Sequence, residues 1–284
     1  MFFDFFKLLS GMPELPEVEV VRCFLESHIV GKKILKISIV NEKLRYKIPS
    51  NLNLRLRNSI IAKILRRGKY LILLFKDSKF SLLIHLGMTG YFRLSDQIKE
   101  KKHDHIIFFL DRKVLIFNDI RKFGFVKIYH ESEIFGSSHL INMGVEPLSK
   151  SFNLNYFNSF RKRTIDLKSL LMNQSFISGL GNIYCSEILH EARISPLRKT
   201  NSLNNLEIEN IITSTKKILK KSISFGGTTI KNFIVSEEKI GYFKNKLKVY
   251  SRDKKKCLRC FKGVTIKKIK QCGRSTFFCA KCQK

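Results

Sequence analysis

Cys257-Leu258-Arg259-Cys260 and Cys279-Ala280-Lys281-Cys282 stand 18 residues apart near the end of a 284-residue chain, and no other feature restricts its folding as much. Each C-x-x-C turn presents two sulfurs on one side, so the residues between the pairs must fold back if all four are to meet. Alternation around Val264 to Ile269 and Gly273 to Phe278 can form the hairpin that does this. The spacing is that of a zinc ribbon, where one structural zinc ion replaces the core that so short a segment lacks. Cys257, Cys260, Cys279 and Cys282 are the candidate ligands, and Cys272, whose spacing to Cys279 is poor for the site, is read as a bystander. A redox role fits poorly with a basic tail that has no βαβ context. Arg274, beside Gly273 at the expected turn, could enter a groove or grip phosphate; taken alone it could equally be a solvated charge.

Lys+Arg 54 against Asp+Glu 23 gives a formal net charge of +31, which points to a polyanionic partner, nucleic acid first. Drift toward lysine in an AT-rich genome would account for about a third of that excess and still leave a basic surface. No run approaches the ~18 apolar residues of a membrane span. Residues 1 to 11 are hydrophobic, but Asp4 and Lys7 interrupt them and no small-residue cleavage site follows, unlike a signal peptide. Seven cysteines, four of them in the two pairs, fit a reducing compartment better than a disulfide framework, so the expected location is the cytoplasm.

The length suggests two domains. Between residues 33 and 129 short runs alternate or stay apolar between turn residues: Ile34 to Val40, Ile60 to Leu65, Tyr70 to Phe75, Phe80 to Leu86, His105 to Leu110, Val114 to Asn118 and Gly124 to Tyr129. Seven or eight strands predict a β-sandwich or barrel, packed at one end by a helix whose Val18, Val21, Leu25 and Ile29 form an apolar stripe. From about residue 152 the period turns helical, most clearly at Ile208, Ile211, Ile212, Thr215, Ile218 and Leu219, until Gly226-Gly227. Shorter helices are expected over 154 to 161, 167 to 173 and 183 to 192.

The segment Met12-Pro13-Glu14-Leu15-Pro16-Glu17 reads like a mature N-terminus although eleven residues precede it. A proline at a free N-terminus is a secondary amine, whereas within a chain its lone pair is delocalised into the preceding carbonyl. With an α-amino pKa of about 8, the free amine is a usable nucleophile for imine chemistry. The same residues also suit a helix start, and both readings can hold together.

Together with Gly179-Leu180-Gly181-Asn182-Ile183-Tyr184 and the ribbon, this opening makes the chain resemble the formamidopyrimidine-DNA glycosylases, repair enzymes for oxidised purines. The resemblance runs from residue 12 to 284. It includes Arg67-Gly68-Lys69-Tyr70-Leu71, His85-Leu86-Gly87-Met88, Lys102-His103-Asp104-His105, Arg121-Lys122-Phe123-Gly124 and Gly226-Gly227-Thr228-Thr229. It implies an α+β chain: a catalytic β-sandwich with a flanking helix over 13–148, a helix-two-turn-helix domain over 149–248 and a zinc finger over 249–284, with double-stranded DNA bound between the halves. Residues 1–12 would then be an extension absent from the mature protein. The enzyme would be monomeric and associated with the nucleoid.

By position, the resemblance makes Pro13 the nucleophile that attacks C1′ of the damaged nucleotide, Glu14 the proton donor to the opening sugar, and Lys69 an assisting cation and proton donor for elimination. It makes Met88, Arg121 and Phe123 the residues that fill the gap left by an extruded base. Lys168 and Asn182 correspond to phosphate-gripping residues, joined by His85, His103 and Arg274. The implied activity is glycosylase plus lyase, with no cofactor at the reaction centre. One departure lies at Asp119-Ile120-Arg121-Lys122-Phe123-Gly124, where the family commonly has Asp-Pro-Arg-Arg-Phe-Gly, so a looser turn is expected. Retention of residues 1–12 would leave a DNA-binding protein without catalysis. The Met88, Arg121, Phe123 set argues against the related endonuclease VIII, which takes oxidised pyrimidines.

Overall fold

The computed structural model of the protein describes residues 12–228, 242–260 and 263–284. Residues 1–11 of the expected 1–12 extension, and Thr229 of the Gly226-Gly227-Thr228-Thr229 motif, lie outside these. Chain contacts divide the rest into two compact units.

The first unit contains Glu17–Ile141. Eight strands follow helix α1 (Leu15–Ile29): β1 (Ile34–Ile39), β2 (Ile61–Arg67), β3 (Tyr70–Phe75), β4 (Phe80–His85), β5 (Tyr91–Ser95), β6 (Asp104–Leu110), β7 (Lys113–Asn118) and β8 (Phe125–His130). A five-residue helix, α2 (Leu52–Leu56), lies between β1 and β2. The strands form two antiparallel four-stranded sheets, ordered β1-β6-β7-β5 and β2-β3-β4-β8. One apolar core draws on both: Ile37, Ile106, Phe108 and Phe117 from the first sheet, Ile64, Leu71, Leu73, Leu82 and Ile84 from the second. Val18, Val21, Leu25 and Ile29 of α1 belong to the same core, so the expected sandwich with its helix is present. The helix begins one residue before Pro16, at Leu15. Strand β5 and helix α2 are additions to the segments listed from sequence. Arg93, on the face of β5 opposite the core residues Phe92 and Leu94, is nevertheless buried, because Asp104 of β6, one strand beyond β7, neutralises it.

The second unit contains Glu14–Pro16, Asn142–Thr228 and Tyr242–Lys284. Its helices are α3 (Leu154–Arg161), α4 (Leu167–Met172), α5 (Asn182–Ala192) and α6 (Asn205–Ser224), packed around Phe157, Leu170, Phe176, Ile188, Ile211 and Leu219. The start of α6 is fixed by a reciprocal cap. Asn204 Oδ1 accepts from the Glu207 amide at 2.9 Å and Glu207 Oε2 accepts from the Asn204 amide at 2.8 Å. Its end meets Gly226 and Gly227, both at positive φ. Between α4 and α5 the chain makes two turns pinned by Gln174, which donates to the Leu180 carbonyl and accepts from the Gly179 amide. The tail forms the hairpin β9 (Lys267–Gln271) and β10 (Arg274–Phe278), with Cys272-Gly273 at its turn. Among the described residues no helix is long and apolar enough to cross a membrane.

Candidate catalytic residues and nucleic-acid interface

In the second unit, Glu14 lies at the start of α5. Glu14 is 3 % exposed; its Oε1 accepts from the Ile183 amide at 2.9 Å and Oε2 from the Tyr184 amide at 3.3 Å. Those donors are the helix-terminal amides that lack partners inside the helix, and the dipole there favours an anion. Gly181 makes the approach possible: a Cβ on it would stand 2.4 Å from Glu14 Cδ. Next to this, the Leu15 amide donates to the Gly179 carbonyl at 3.0 Å, so the chain following Pro13 is tied at side chain and backbone. Pro13 itself is half-buried.

Lys168, on α4, is almost wholly buried. Its ammonium has three donors, and they meet Asn182 Oδ1 at 2.5 Å, Thr276 Oγ1 at 2.6 Å and the Ser275 carbonyl at 3.3 Å. Asn182 Nδ2 donates to the same Ser275 carbonyl at 2.8 Å. The two residues therefore tie α4 and α5 to strand β10. Burial pushes the Lys168 ammonium down to about 8, and Arg274 nearby, itself exposed, pushes the same way. The Tyr250 hydroxyl reaches the Asn182 side chain. Its backbone is set by Glu187, whose Oε1 accepts from the Val249 and Tyr250 amides and Oε2 from the Lys248 amide, at 2.8 to 2.9 Å. Neither Tyr250 nor Glu187 is among the residues found from sequence: α5 also carries Asn182, Ser186, His190 and Glu191, so nothing in its pattern marks Glu187 as the buried acid.

The four sulfurs of Cys257, Cys260, Cys279 and Cys282 all lie within 4.8 Å of one another. Cys257 and Cys282 are 3.9 Å apart, Cys260 and Cys279 3.7 Å. Tetrahedral zinc with Zn–S of about 2.3 Å needs edges of about 3.8 Å, so the set fits that ion. Burial works against the Cys279 thiolate, but the Cys282 and Lys281 amides outweigh it and bring the thiol down to about 7. His190 of α5 points Nε2 at the Cys257 and Cys282 sulfurs, 3.8 Å from each. Cys272 is exposed at the hairpin turn and outside the cluster.

In the first unit, Lys69 occupies the β2–β3 turn. Arg66 braces that turn, donating to Glu19 Oε2 at 2.7 Å and to the Gly68 carbonyl at 3.0 Å. His85 ends β4, where Nδ1 accepts from the Gly87 amide at 3.0 Å, leaving Nε2 as the donor. Burial, aided by Lys69 and Arg45, pushes its pKa down to about 4. At neutral pH it can offer a phosphate a hydrogen bond but not an ion pair. Met88 sits half-buried in the β4–β5 loop, Arg121 and Phe123 are exposed in the β7–β8 loop, and the Arg121 guanidinium stacks 4.8 Å over the Phe123 ring. His103 is half-buried at φ +75°, its carbonyl accepting from the Asp119 amide.

A model of the formamidopyrimidine-DNA glycosylase N-terminal domain matches residues 12–126, and a model of the formamidopyrimidine-DNA glycosylase H2TH domain matches residues 143–234. A formamidopyrimidine-DNA glycosylase of Rickettsia bellii is 44 % identical over 276 residues, covering 96 % of this chain and all of that one. One from Rickettsia felis is 43 % identical over 279 residues, covering 96 % and 98 %. Among solved structures, Lactococcus lactis Fpg with abasic-site DNA aligns at TM-score 0.87 and 37 % identity over 95 % of this chain and 99 % of that one. A MutM complex with DNA containing carbocyclic 8-oxo-G aligns at 0.86 and 37 %, covering 96 % and 100 %.

Proposed function

The chain belongs to the formamidopyrimidine-DNA glycosylase family, and from that we propose that it excises oxidised purines, 8-oxoguanine and formamidopyrimidines, from double-stranded DNA and then cleaves the strand. The observation that carries this reading is the Glu14 carboxylate held on the Ile183 and Tyr184 amides, one peptide bond from Pro13. Here the chain acts with residues 1–12 removed, as a monomer in the cytoplasm on nucleoid DNA.

The Pro13 amine attacks C1′ and the base departs with its bonding electrons. The C1′–O4′ bond then breaks as the nitrogen lone pair forms an iminium. The proton lost from nitrogen passes through Glu14 to O4′, so a carboxylate fixed next to the amine serves both ends of the transfer. The iminium acidifies the neighbouring sugar C–H bonds; β-elimination expels the 3′ phosphate and δ-elimination the 5′ phosphate. Lys69 supplies a cation and a proton beside the departing groups. Lys168, Asn182, Arg274, His85 and His103 grip backbone oxygens, and Met88, Arg121 and Phe123 fill the space of the extruded base. All three Lys168 donors have protein acceptors, so Lys168 exchanges its bonds to Ser275 and Thr276 for phosphate oxygens, and Asn182 exchanges its bond to the Ser275 carbonyl in the same way. Tyr250 joins them through Asn182. Cys257, Cys260, Cys279 and Cys282 hold one zinc ion, which supplies folding energy to the tail and takes no part in the chemistry.

The test compares borohydride trapping on otherwise identical duplexes carrying 8-oxoguanine, formamidopyrimidine or an oxidised pyrimidine. The two purine lesions trap; preferential trapping on the pyrimidine, or none on any duplex, would overturn the reading. A second expected outcome concerns Glu14. Gly181→Ala forces its carboxylate off the α5 amides, and since misplacement by ~1 Å can cost ~100-fold, kcat/KM falls by about that factor. Helical circular dichroism is retained, which separates this from unfolding.

A further inference from the structure

The β4–β5 loop that carries Met88 and the β7–β8 loop that carries Arg121 and Phe123 both cross from one sheet to the other, and their backbones pack against each other. Gly87, at φ +62°, packs so tightly on the other loop that a Cβ there would stand 2.3 Å from the Gly124 nitrogen and 2.4 Å from the Phe123 carbonyl carbon. On the other side, a Cβ on Gly124 would stand 2.8 Å from the His85 carbonyl oxygen. The backbones interlock where the three side chains leave them.

Two side chains close this joint. Asp119 is fully buried. Its Oδ1 accepts from the Thr89 hydroxyl at 2.5 Å and from the Arg121 amide at 3.2 Å, and its Oδ2 accepts from the Gly124 amide at 2.7 Å. The Thr89 oxygen in turn accepts from the Arg121 amide at 3.0 Å. Thr89 follows Met88 directly, and Asp119 spans the turn that displays Arg121 and Phe123. One carboxylate and one hydroxyl thus join both loops in a single hydrogen-bonded frame. A buried carboxylate with several charge-assisted bonds resists distortion, because moving either loop strands a partner in a dry site. The frame is anchored further by His105, whose ring nitrogens lie 3.0 Å from the Asn41 and Asp119 carbonyl oxygens.

We propose that Thr89 and Asp119 are positioning residues that make Met88, Arg121 and Phe123 enter the duplex as one unit, so that extruding the base and filling its place are a single step. This rests on the gap-filling role assigned to the three side chains above. A rigid wedge gains its contacts together and loses them together, whereas three separate side chains would contribute independently.

The experiment follows extrusion by the fluorescence of 2-aminopurine placed beside 8-oxoguanine in a duplex, using the chain that begins at Pro13. Met88→Ala and Phe123→Ala each slow extrusion about tenfold, and the double variant is slowed little further, since groups acting as a unit are non-additive. Thr89→Val, which keeps shape and removes the hydroxyl, slows extrusion about tenfold and makes the Met88 and Phe123 effects additive. Thr89→Ser restores wild-type behaviour. Additive effects in the wild-type background, near a hundredfold for the double variant, would overturn the proposal without any Thr89 variant. So would wild-type extrusion by Thr89→Val. A wild-type protein that neither extrudes the base nor traps on borohydride would instead count against the function on which the proposal rests.

Discussion

A protein beginning at Pro13 forms a borohydride-stable adduct with 8-oxoguanine duplex, and the same protein with residues 1–12 attached forms at least about a thousandfold less, because an amide nitrogen has no lone pair to give. No other change to the chain has a larger expected effect, since it removes the nucleophile without touching the fold. Denaturing electrophoresis of the reduced mixture reads the adduct directly. Both proteins should bind the duplex with similar affinity in the absence of reductant. Pro13→Gly, leaving a primary amine, should retain a reduced but measurable adduct. Equal trapping by the extended and the trimmed protein would place the nucleophile elsewhere, with a lysine as the first suspect.

The second large effect comes from the metal. Chelation of zinc, or Cys257→Ser, is expected to unfold the hairpin of β9 and β10 and to weaken duplex binding by about 100-fold, because the ion supplies the folding free energy of such a segment. The loss goes beyond the exposed Arg274 at the hairpin. Ser275 and Thr276 of β10 are the partners that orient Lys168 and Asn182, so a melted hairpin releases a buried ammonium and the amide beside it at once. Thermal melting with and without chelator, paired with binding isotherms at several salt concentrations, tests this. A metal-free protein with wild-type affinity would sink the claim.

How much of this was legible in the residues depends on how local each signal is. The two C-x-x-C pairs, the change from period two to a helical period near residue 152 and the glycines after α6 are local patterns, and each corresponds to an observed element. Strand β5 was less legible because it is only five residues long; that its Arg93 is buried could not be read either, since the compensating Asp104 is 11 positions away and comes close only in the sheet. The α2 helix is too short for a period to emerge. At the candidate site, motif resemblance supplied the positions but not their partners. That Lys168 reaches Ser275 and Thr276 of β10, that Glu187 holds Tyr250, and that Arg66 and Glu19 brace the Lys69 turn are facts of contact between residues 47 to 108 positions apart. A sequence lists such residues without saying which of them meet.

The placement of Glu14–Pro16 bears on how this protein can be taken apart. Those three residues cluster with the helical unit, while the chain from Glu17 to Ile141 clusters with the sheets. A fragment cut at the Ile141–Asn142 boundary would therefore look complete by length and composition while missing the acid that occupies the first turn of α5. Two amides at that helix end, on Ile183 and Tyr184, would be left facing nothing but solvent or a borrowed anion. The two units are thus not interchangeable modules in the way their separate family matches suggest. Truncation that treats them as such removes the carboxylate that meets the α5 amides.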